Sequence, residues 1–499
     1  MKTTRLLAAL VTISTVTTTA CQTDLTGINV NPNDPTSAPA TSLFSNATMS
    51  TVRRFNGSFQ TLSMTSLFAQ HMAQVQYVDE DRGHIRSGVI DALYLGVYTT
   101  ELMDFEKVKG QGTAANAPNV WGPALVMQSW AFQNMTDLWG DIPYSEALKG
   151  DIGGSSFTPG YDMQQDIYSG LLQSLTEASV AMATATDAGL GNADLIYGGD
   201  GAKWAVFANS LRARMALRIS DVDAAKAATE LSAAFAAGVM TSNSDNAALA
   251  WPGDGVFDNP WSANFATRDD HRVSKTLLDT MSALNDPRVS IYAQPTIADP
   301  TIYTGLQNGM DNVTVAPFYN TTSRPGAIFY PGATSYGTFG TSAGKRTPSY
   351  LMTYAEVAFI QAEAAQRGLG GLTAGAAAAY YAAGVTASIE QWGGTSADAA
   401  TYLAQPGVAY DAATGLSQIG VQKWIALFTQ GSEAWSDWRR TGNPSNIVMG
   451  PSAYPDVLQV PRRIPYASNE QSVNAASLAA AIARQGPDTY STRMWWDRP

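Results

Sequence analysis

The sequence predicts an all-α protein in which antiparallel helix pairs stack as a solenoid, with long irregular loop regions packed on one side. Three observations carry that expectation. Apolar stripes of period 3.6 recur: Trp204, Phe207, Ala208, Leu211 and Met215 fall at i, i+3, i+4, i+7 and i+11, while Arg212, Arg214 and Arg218 lie elsewhere on the helix. Leu351, Tyr354, Ala355, Ala358, Phe359, Ala362 and Ala365 repeat the stripe before Gly368 stops it, and Val421, Trp424, Ile425 and Phe428 repeat it again. The helical stretches are rich in alanine, whose small side chain lets helices approach closely. Finally, two stretches lack periodicity: 240–347, dense in Gly, Pro, Asn, Asp, Tyr and Trp, and 441–475, which carries five prolines between Pro444 and Pro465.

Taken in order, Lys2 and Arg5 form a short basic region before the apolar run Leu6 to Val16, which is too short to span a bilayer. Thr18, Thr19 and Ala20 then precede Cys21, the single cysteine of the sequence. Residues 1–20 therefore read as a lipoprotein signal peptide and Cys21 as the lipidation site, since a mature N-terminal thiol carrying a diacylglyceryl group and an amide-linked chain meets the two-signal requirement for stable anchoring. Residues 21–40, rich in Asn, Pro, Asp and Thr, read as a tether, and 41–499 as one helical binding domain. Further helices are expected at about 91–108, 120–138, 164–184, 222–237, 273–284 and 373–391. No 34-residue period is visible, so any repeat has diverged to shape alone.

Composition narrows the function. Beyond the leader, 28 basic residues (30 less Lys2 and Arg5) face 42 acidic ones, which disfavours nucleic acid as the ligand. The charged fraction is 14%, against about 25% in typical soluble proteins, and the surplus of neutral polar residues suits a neutral polar ligand. Carboxylate pairs such as Asp79-Glu80-Asp81 and Asp269-Asp270 read as solvated loop clusters rather than a glycosidase dyad. His71, His84 and His271 are widely spaced, Asp299 to Asp311 lacks the ligand pattern of a calcium loop, and neither GxSxG nor a Walker or Rossmann glycine pattern occurs in context. No catalytic residue, metal ligand or cofactor is expected.

Several segments carry a resemblance in register. They are Asn29 to Pro35 (NVNPNDP), Asp137 to Ala147 (DLWGDIPYSEA), Trp204 to Asp223 (WAVFANSLRARMALRISDVD), Arg346 to Glu356 (RTPSYLMTYAE), Gln422 to Arg440 (QKWIALFTQGSEAWSDWRR) and Arg462 to Gln471 (RRIPYASNEQ). Together they resemble the SusD/RagB family of outer-membrane nutrient-binding lipoproteins, and most its second, SusD-like subgroup. The resemblance implies a scaffold of tetratricopeptide-like helix pairs. It also implies a lipid-anchored place on the outer membrane facing the cell exterior, beside a SusC-like TonB-dependent transporter that receives an oligosaccharide or other small polar nutrient. A structural or adhesive surface protein, using its helical repeats to hold another protein, is the alternative.

Within the family segments, Asp141 reads as a cap for local backbone amides. Glu433, Asp437, Arg439 and Arg440 read as a polar network fixing a helix end to a loop, and Trp435 and Trp438 as core. The ligand surface is expected on the loops around Tyr77 to Arg86 and in 251–346, where aromatic rings can stack on sugar C–H faces beside amide, carboxylate and guanidinium groups. The candidates are Tyr77, Asp79, Trp251, Trp261, Asn264, Arg268, Tyr319, Tyr330 and Tyr336. Each ring has a second reading, as a pin holding a long loop to the scaffold.

Overall fold

The alanine-rich stretches fold into a helical frame. The computed structural model describes residues 38–150, 157–331, 343–457 and 459–498. The signal peptide, Cys21, nearly all of the tether and Tyr336 lie outside the described residues. The α-helices of eight or more residues in the N-terminal half are α1 (Ala40–Phe55), α2 (Ser87–Gly96), α3 (Met103–Ala114), α4 (Pro118–Trp139), α5 (Gln164–Ala183), α6 (Gly201–Arg218) and α7 (Ala224–Ala237). After α8 (Lys275–Ala283) come α9 (Tyr354–Gln366), α10 (Ala377–Gln391), α11 (Ser396–Leu403), α12 (Gly415–Ala426), α13 (Gly431–Thr441) and α14 (Ala475–Gln485).

The starts of these helices follow local chemistry. Pro118 occupies the first turn of α4, where its missing N–H costs nothing. Asp200 accepts from the amides of Ala202 and Lys203 to open α6, Asp223 from Lys226 to open α7, and Thr353 from Glu356 to open α9. Each helix from α3 to α7 packs against the next, and short connectors after α3 and α6 turn the chain back on itself. Helices α9, α10, α11 and α12 form a second stack around Phe359, Tyr381, Val385 and Tyr402, and α6 lies against α9 to join the two.

The stripe Trp204, Phe207, Ala208, Leu211 and Met215 is buried as its period requires. Arg214 and Arg218 depart from expectation, because they too are buried. Their partners explain this. Arg214 Nε donates to Glu356 Oε1 at 2.6 Å, and Arg218 Nη2 to Glu433 Oε2 at 2.5 Å. Arg440 pairs with Glu363 and Asp437, and Lys423 with Asp437 at 2.9 Å. Arg439 stacks its guanidinium 3.6 Å above the Trp435 ring and donates to the carbonyls of Asp137 and Arg462. Glu433, Asp437 and Arg440 thus tie α13 to α6, α12 and α9 rather than to a loop, while Arg439 and the Trp435 indole, donating to Arg462 O and Pro461 O, hold it to the 461–464 loop. Asp141 accepts from the backbone N–H of Gln164 at the start of α5 and pairs with Arg484 of α14.

Two short antiparallel ladders organise the irregular regions. β1 (Met72–Gln74) pairs with β3 (His271–Val273), and β2 (Ala247–Leu249) with β4 (Ser349–Met352). The second ladder joins the two ends of the long excursion between α7 and α9. The first carries the middle of that excursion to the segment that follows α1. Within the irregular stretch 240–347, the helix expected at 273–284 is α8, and the short helices Pro260–Phe265, Val289–Tyr292 and Asn312–Val315 join it. The stretch expected as one helix over 91–108 is α2, a wider turn at Val97–Leu102 and α3, reaching Ala114. Helix α1 was not anticipated. Its apolar positions Phe44, Ala47, Val52 and Phe55 are interrupted by buried threonines Thr48 and Thr51, which blur the stripe.

A candidate sugar-binding groove

The groove begins where α1 ends. Gly57 sits where a side-chain carbon would stand 2.5 Å from Arg53 O, so the chain can turn this tightly only at a glycine. A wide helical turn follows at Ser58–Thr65, with Ser63 out of helical geometry at φ −103°, ψ 16°. Phe59 stands on this turn with 54% of its surface exposed. Beyond β1 the chain reaches Tyr77, whose left-handed backbone (φ 55°) holds its ring outward, 66% exposed. The β1–β3 ladder sets Gln74 opposite His271, and this brings Arg268 to Tyr77, with the guanidinium carbon 5.5 Å from the ring centre.

The result is a groove of about 840 Å³ that unites Tyr77, Asp79, Asn264, Arg268 and Tyr319 with Phe59, Gln74, Glu80, Arg86 and Asp270. Its volume falls in the range of small-ligand sites. Arg86 Nε donates to Glu80 at 2.7 Å and lies over the Phe59 ring at 5.5 Å. Tyr319 is half-buried. Its hydroxyl donates to Asp269 at 2.7 Å, and Arg272 lies 4.7 Å over its ring, so this ring belongs to the wall of the groove. Burial pushes the Asp269 carboxyl up, but Arg324, Tyr319 and Arg272 outweigh it and hold the group below its ordinary range.

Beneath the rings runs a hydrogen-bonded line. Ser63 Oγ lies 3.2 Å from His271 Nε2, His271 Nδ1 lies 3.2 Å from Asp270 Oδ1, and Asp270 Oδ2 accepts from Arg268 at 3.4 Å. Burial raises the Asp270 carboxyl, yet His271 and Arg268 bring it below its usual range, so it is ionised at neutral pH. Serine, histidine and aspartate also serve in acyl transfer, which needs amide donors converging beside the serine oxygen. Ser63 instead lies within a helical turn whose amides serve that turn. The line therefore ties the groove floor to Arg268 and through it to the Tyr77 ring.

Asp81 fixes the deeper floor. It accepts from the amides of Gln74 and Gly309 and from Asn308 Nδ2 at 3.2, 3.0 and 2.6 Å. Burial pushes its carboxyl up to about 6, against the pull of these three donors. A carboxyl raised in the fold contributes stability that is full below the unfolded value of about 4 and is lost as pH rises through about 6. Asp81→Asn is therefore expected to remove a fall in stability between about pH 4 and about pH 7, read as urea midpoints of both proteins across that range. Parallel profiles for the two proteins would contradict the assignment.

Three of the expected site residues lie elsewhere. Trp251 and Trp261 are each 3% exposed, which corrects their reading as free rings. Trp251 donates its indole N–H to Ser349 Oγ beside the β2–β4 ladder, and Trp261 packs against Phe329 and Phe428. Tyr330 stacks on Phe265 at 4.7 Å with its hydroxyl buried, so its face is already covered. Tyr336 lies outside the described residues. Phe59 was missed by the sequence reading. Its signal was the Gly57-Ser58 break, which lifts a large apolar residue off a helix end.

Among the described residues no group of three or more metal-ligating side chains gathers, and no helix is long and apolar enough to cross a membrane. Comparison with curated proteins found no match. Residues 32–467 match the family described as "SusD-like_2: Starch-binding associating with outer membrane". Among solved structures, a chitin-binding protein is 28% identical with a TM-score of 0.79, covering 92% of this chain and 100% of that one. A SusD homologue from Bacteroides uniformis is 26% identical, with a TM-score of 0.79 and coverage of 92% and 99%. A chitin-binding SusD homologue from Flavobacterium johnsoniae is 25% identical, again with a TM-score of 0.79, and coverage of 92% and 98%. The helical frame, these neighbours and a family match over most of its length agree: this chain belongs to the SusD-like family.

Proposed function

We propose that this protein is a cell-surface lipoprotein, anchored through Cys21, that captures a neutral oligosaccharide in the groove and hands it to a TonB-dependent outer-membrane transporter. The observation that carries this reading is the pair of exposed rings, Tyr77 and Phe59, set on a shared groove and flanked by Arg268, Arg86, Asp79 and Asn264. Exposed rings offer apolar faces for sugar C–H surfaces, and the flanking groups supply donors and acceptors for hydroxyls. Family membership supports glycan binding, and the chitin-binding neighbours make chito-oligosaccharides the first probe, beside malto-oligosaccharides. Tyr77→Ala is expected to weaken binding by about 1–3 kcal/mol with little change in melting temperature, because the ring is exposed and supports little of the core. Calorimetric titration of both proteins with each oligosaccharide series checks this. Unchanged affinity for a glycan that the parent binds would remove the groove from consideration.

A further inference from the structure

The proline-rich stretch that follows α13 contributes no side chain to the groove, yet it holds both of the groove's walls. Over 452–457 it lies along the turn that carries Asp79 and Glu80. Arg82 Nε donates to Ser452 O at 2.6 Å, the Tyr454 amide donates to Arg82 O at 3.2 Å, and Val457 stands 2.7 Å from where a side-chain carbon on Gly83 would lie. On the opposite wall the Ser452 amide donates to Gly309 O at 2.9 Å and its hydroxyl to Asp311 Oδ2 at 3.1 Å, just before the short helix Asn312–Val315 that brings Asn312 to the groove. We propose that Tyr454, in the middle of this strap, is a positioning residue that presents the Asp79 carboxylate to the hydroxyl groups of a bound sugar. The proposal rests on the glycan-binding reading of the groove.

Asp79 differs from the other carboxylates of the groove in its partner. Glu80 is held by Arg86 at 2.7 Å and Asp270 by Arg268 at 3.4 Å, so each of those charges meets a guanidinium. Asp79 Oδ1 accepts instead from the neutral Tyr454 hydroxyl at 2.6 Å, and Oδ2 accepts from none of the described residues. The nearest guanidinium, that of Arg82, stays 3.9 Å away, turned to Ser452 O and lying 4.2 Å over the Tyr454 ring. With 55% of its side chain exposed, Asp79 would turn freely without that hydroxyl, and a hydrogen bond to a carboxylate is strong enough to fix it. Tyr454 is itself steadied, half-buried with Arg82 over its ring and the His84 ring 5.1 Å away. A carboxylate only accepts and a sugar hydroxyl can donate, so Oδ2 is matched to a hydroxylated ligand. Held in place before the ligand arrives, it spares binding the cost of ordering it. Tyr454 does not line the groove, so its effect on the ligand passes through Asp79.

The test is a double-mutant cycle read by calorimetric titration with chitohexaose and with maltohexaose. Tyr454→Phe keeps the ring beside Arg82 and His84 and removes only the hydroxyl. For a hexasaccharide that the parent binds, it should weaken binding about three- to tenfold while leaving the melting temperature near the parent's, and Asp79→Ala should weaken binding about tenfold. The two changes together should cost no more than Asp79→Ala alone, a coupling that a merely structural tyrosine would not show. Losses that multiply in the double variant overturn the positioning role. So does a Tyr454→Phe or Asp79→Ala protein that binds as the parent does while Tyr77→Ala weakens binding, and in that case the groove stands without it. If Tyr77→Ala changes nothing, or if neither hexasaccharide binds the parent, the groove reading fails and takes the role of Tyr454 with it.

Discussion

Asp437→Ala is expected to destabilise the protein by about 3–5 kcal/mol, the largest effect of any single substitution considered for the fold. Asp437 stands in a buried cluster where Arg214, Arg218, Lys423, Arg439 and Arg440 meet Asp137, Glu356, Glu363 and Glu433. It bridges Lys423 and Arg440, each at 2.9 Å. Removing it strands the Lys423 ammonium away from water and leaves Arg440 with Glu363 alone, and that desolvation, rather than the loss of an attractive pair, sets the size of the effect. Burial alone raises the Asp437 carboxyl, but Lys423, Arg440 and Arg218 outweigh it and hold the group well below its ordinary range. A depressed carboxyl contributes stability that is present above the unfolded value of about 4 and is lost as pH falls through the folded one. The parent protein should therefore resist mild acid better than the variant resists neutral buffer. Urea midpoints for both proteins give the measurement. A loss below about 1 kcal/mol, the scale of an exposed pair, would show that the cluster is wetter than its geometry implies.

Cys21→Ser is expected to release essentially all of the protein from the membrane fraction, because a serine cannot carry the thioether-linked lipid and no second anchor is proposed. Fractionation followed by intact-mass measurement reads both the location and the missing acyl chains. A variant that still sediments with the outer membrane, at parental mass, would sink the assignment. The same preparation, gently solubilised from the parent strain, tests the proposed hand-off, since a TonB-dependent barrel should co-purify.

The helical frame was legible because helix burial leaves a period. The stripes from Trp204 to Met215 and from Leu351 to Ala365 follow directly from the need of each helix to turn one face inward. The arginines on α6 were not legible in the same way. A charged residue off the stripe reads as solvent-facing, and only the arrival of Glu356 and Glu433 from distant parts of the sequence turns Arg214 and Arg218 into interior residues. The groove was half legible. Residue type pointed to Tyr77, Asp79, Asn264, Arg268 and Tyr319, and the β1–β3 pairing brings them together. The same criterion picked out Trp251 and Trp261, since sequence offers no way to distinguish a ring that stacks on ligand from one that pins a loop. Phe59 escaped because the buried threonines of α1 blur its stripe, so the helix end that precedes the Gly57-Ser58 break goes unseen.

The β2–β4 ladder has a consequence for how such a protein diversifies. By clasping Ala247–Leu249 to Ser349–Met352, it makes everything between them a closed appendix whose two roots are neighbours. The appendix also grips the frame along its length: β3 pairs with β1, Trp261 and Tyr292 pack on Phe428, and Arg288 donates to Ser388 and Gln422. Because closing a loop becomes harder by only about 0.6 kcal/mol for each doubling of its length, the exposed stretches between these contacts are free to lengthen or shorten. One wall of the groove, from Asn264 to Tyr319, therefore belongs to the appendix, while the wall bearing Phe59 and Tyr77 belongs to the segment that follows α1. Exchange of this wall between relatives must therefore keep the seats of Trp261, Tyr292 and Arg288 if the helical stack is to stay intact.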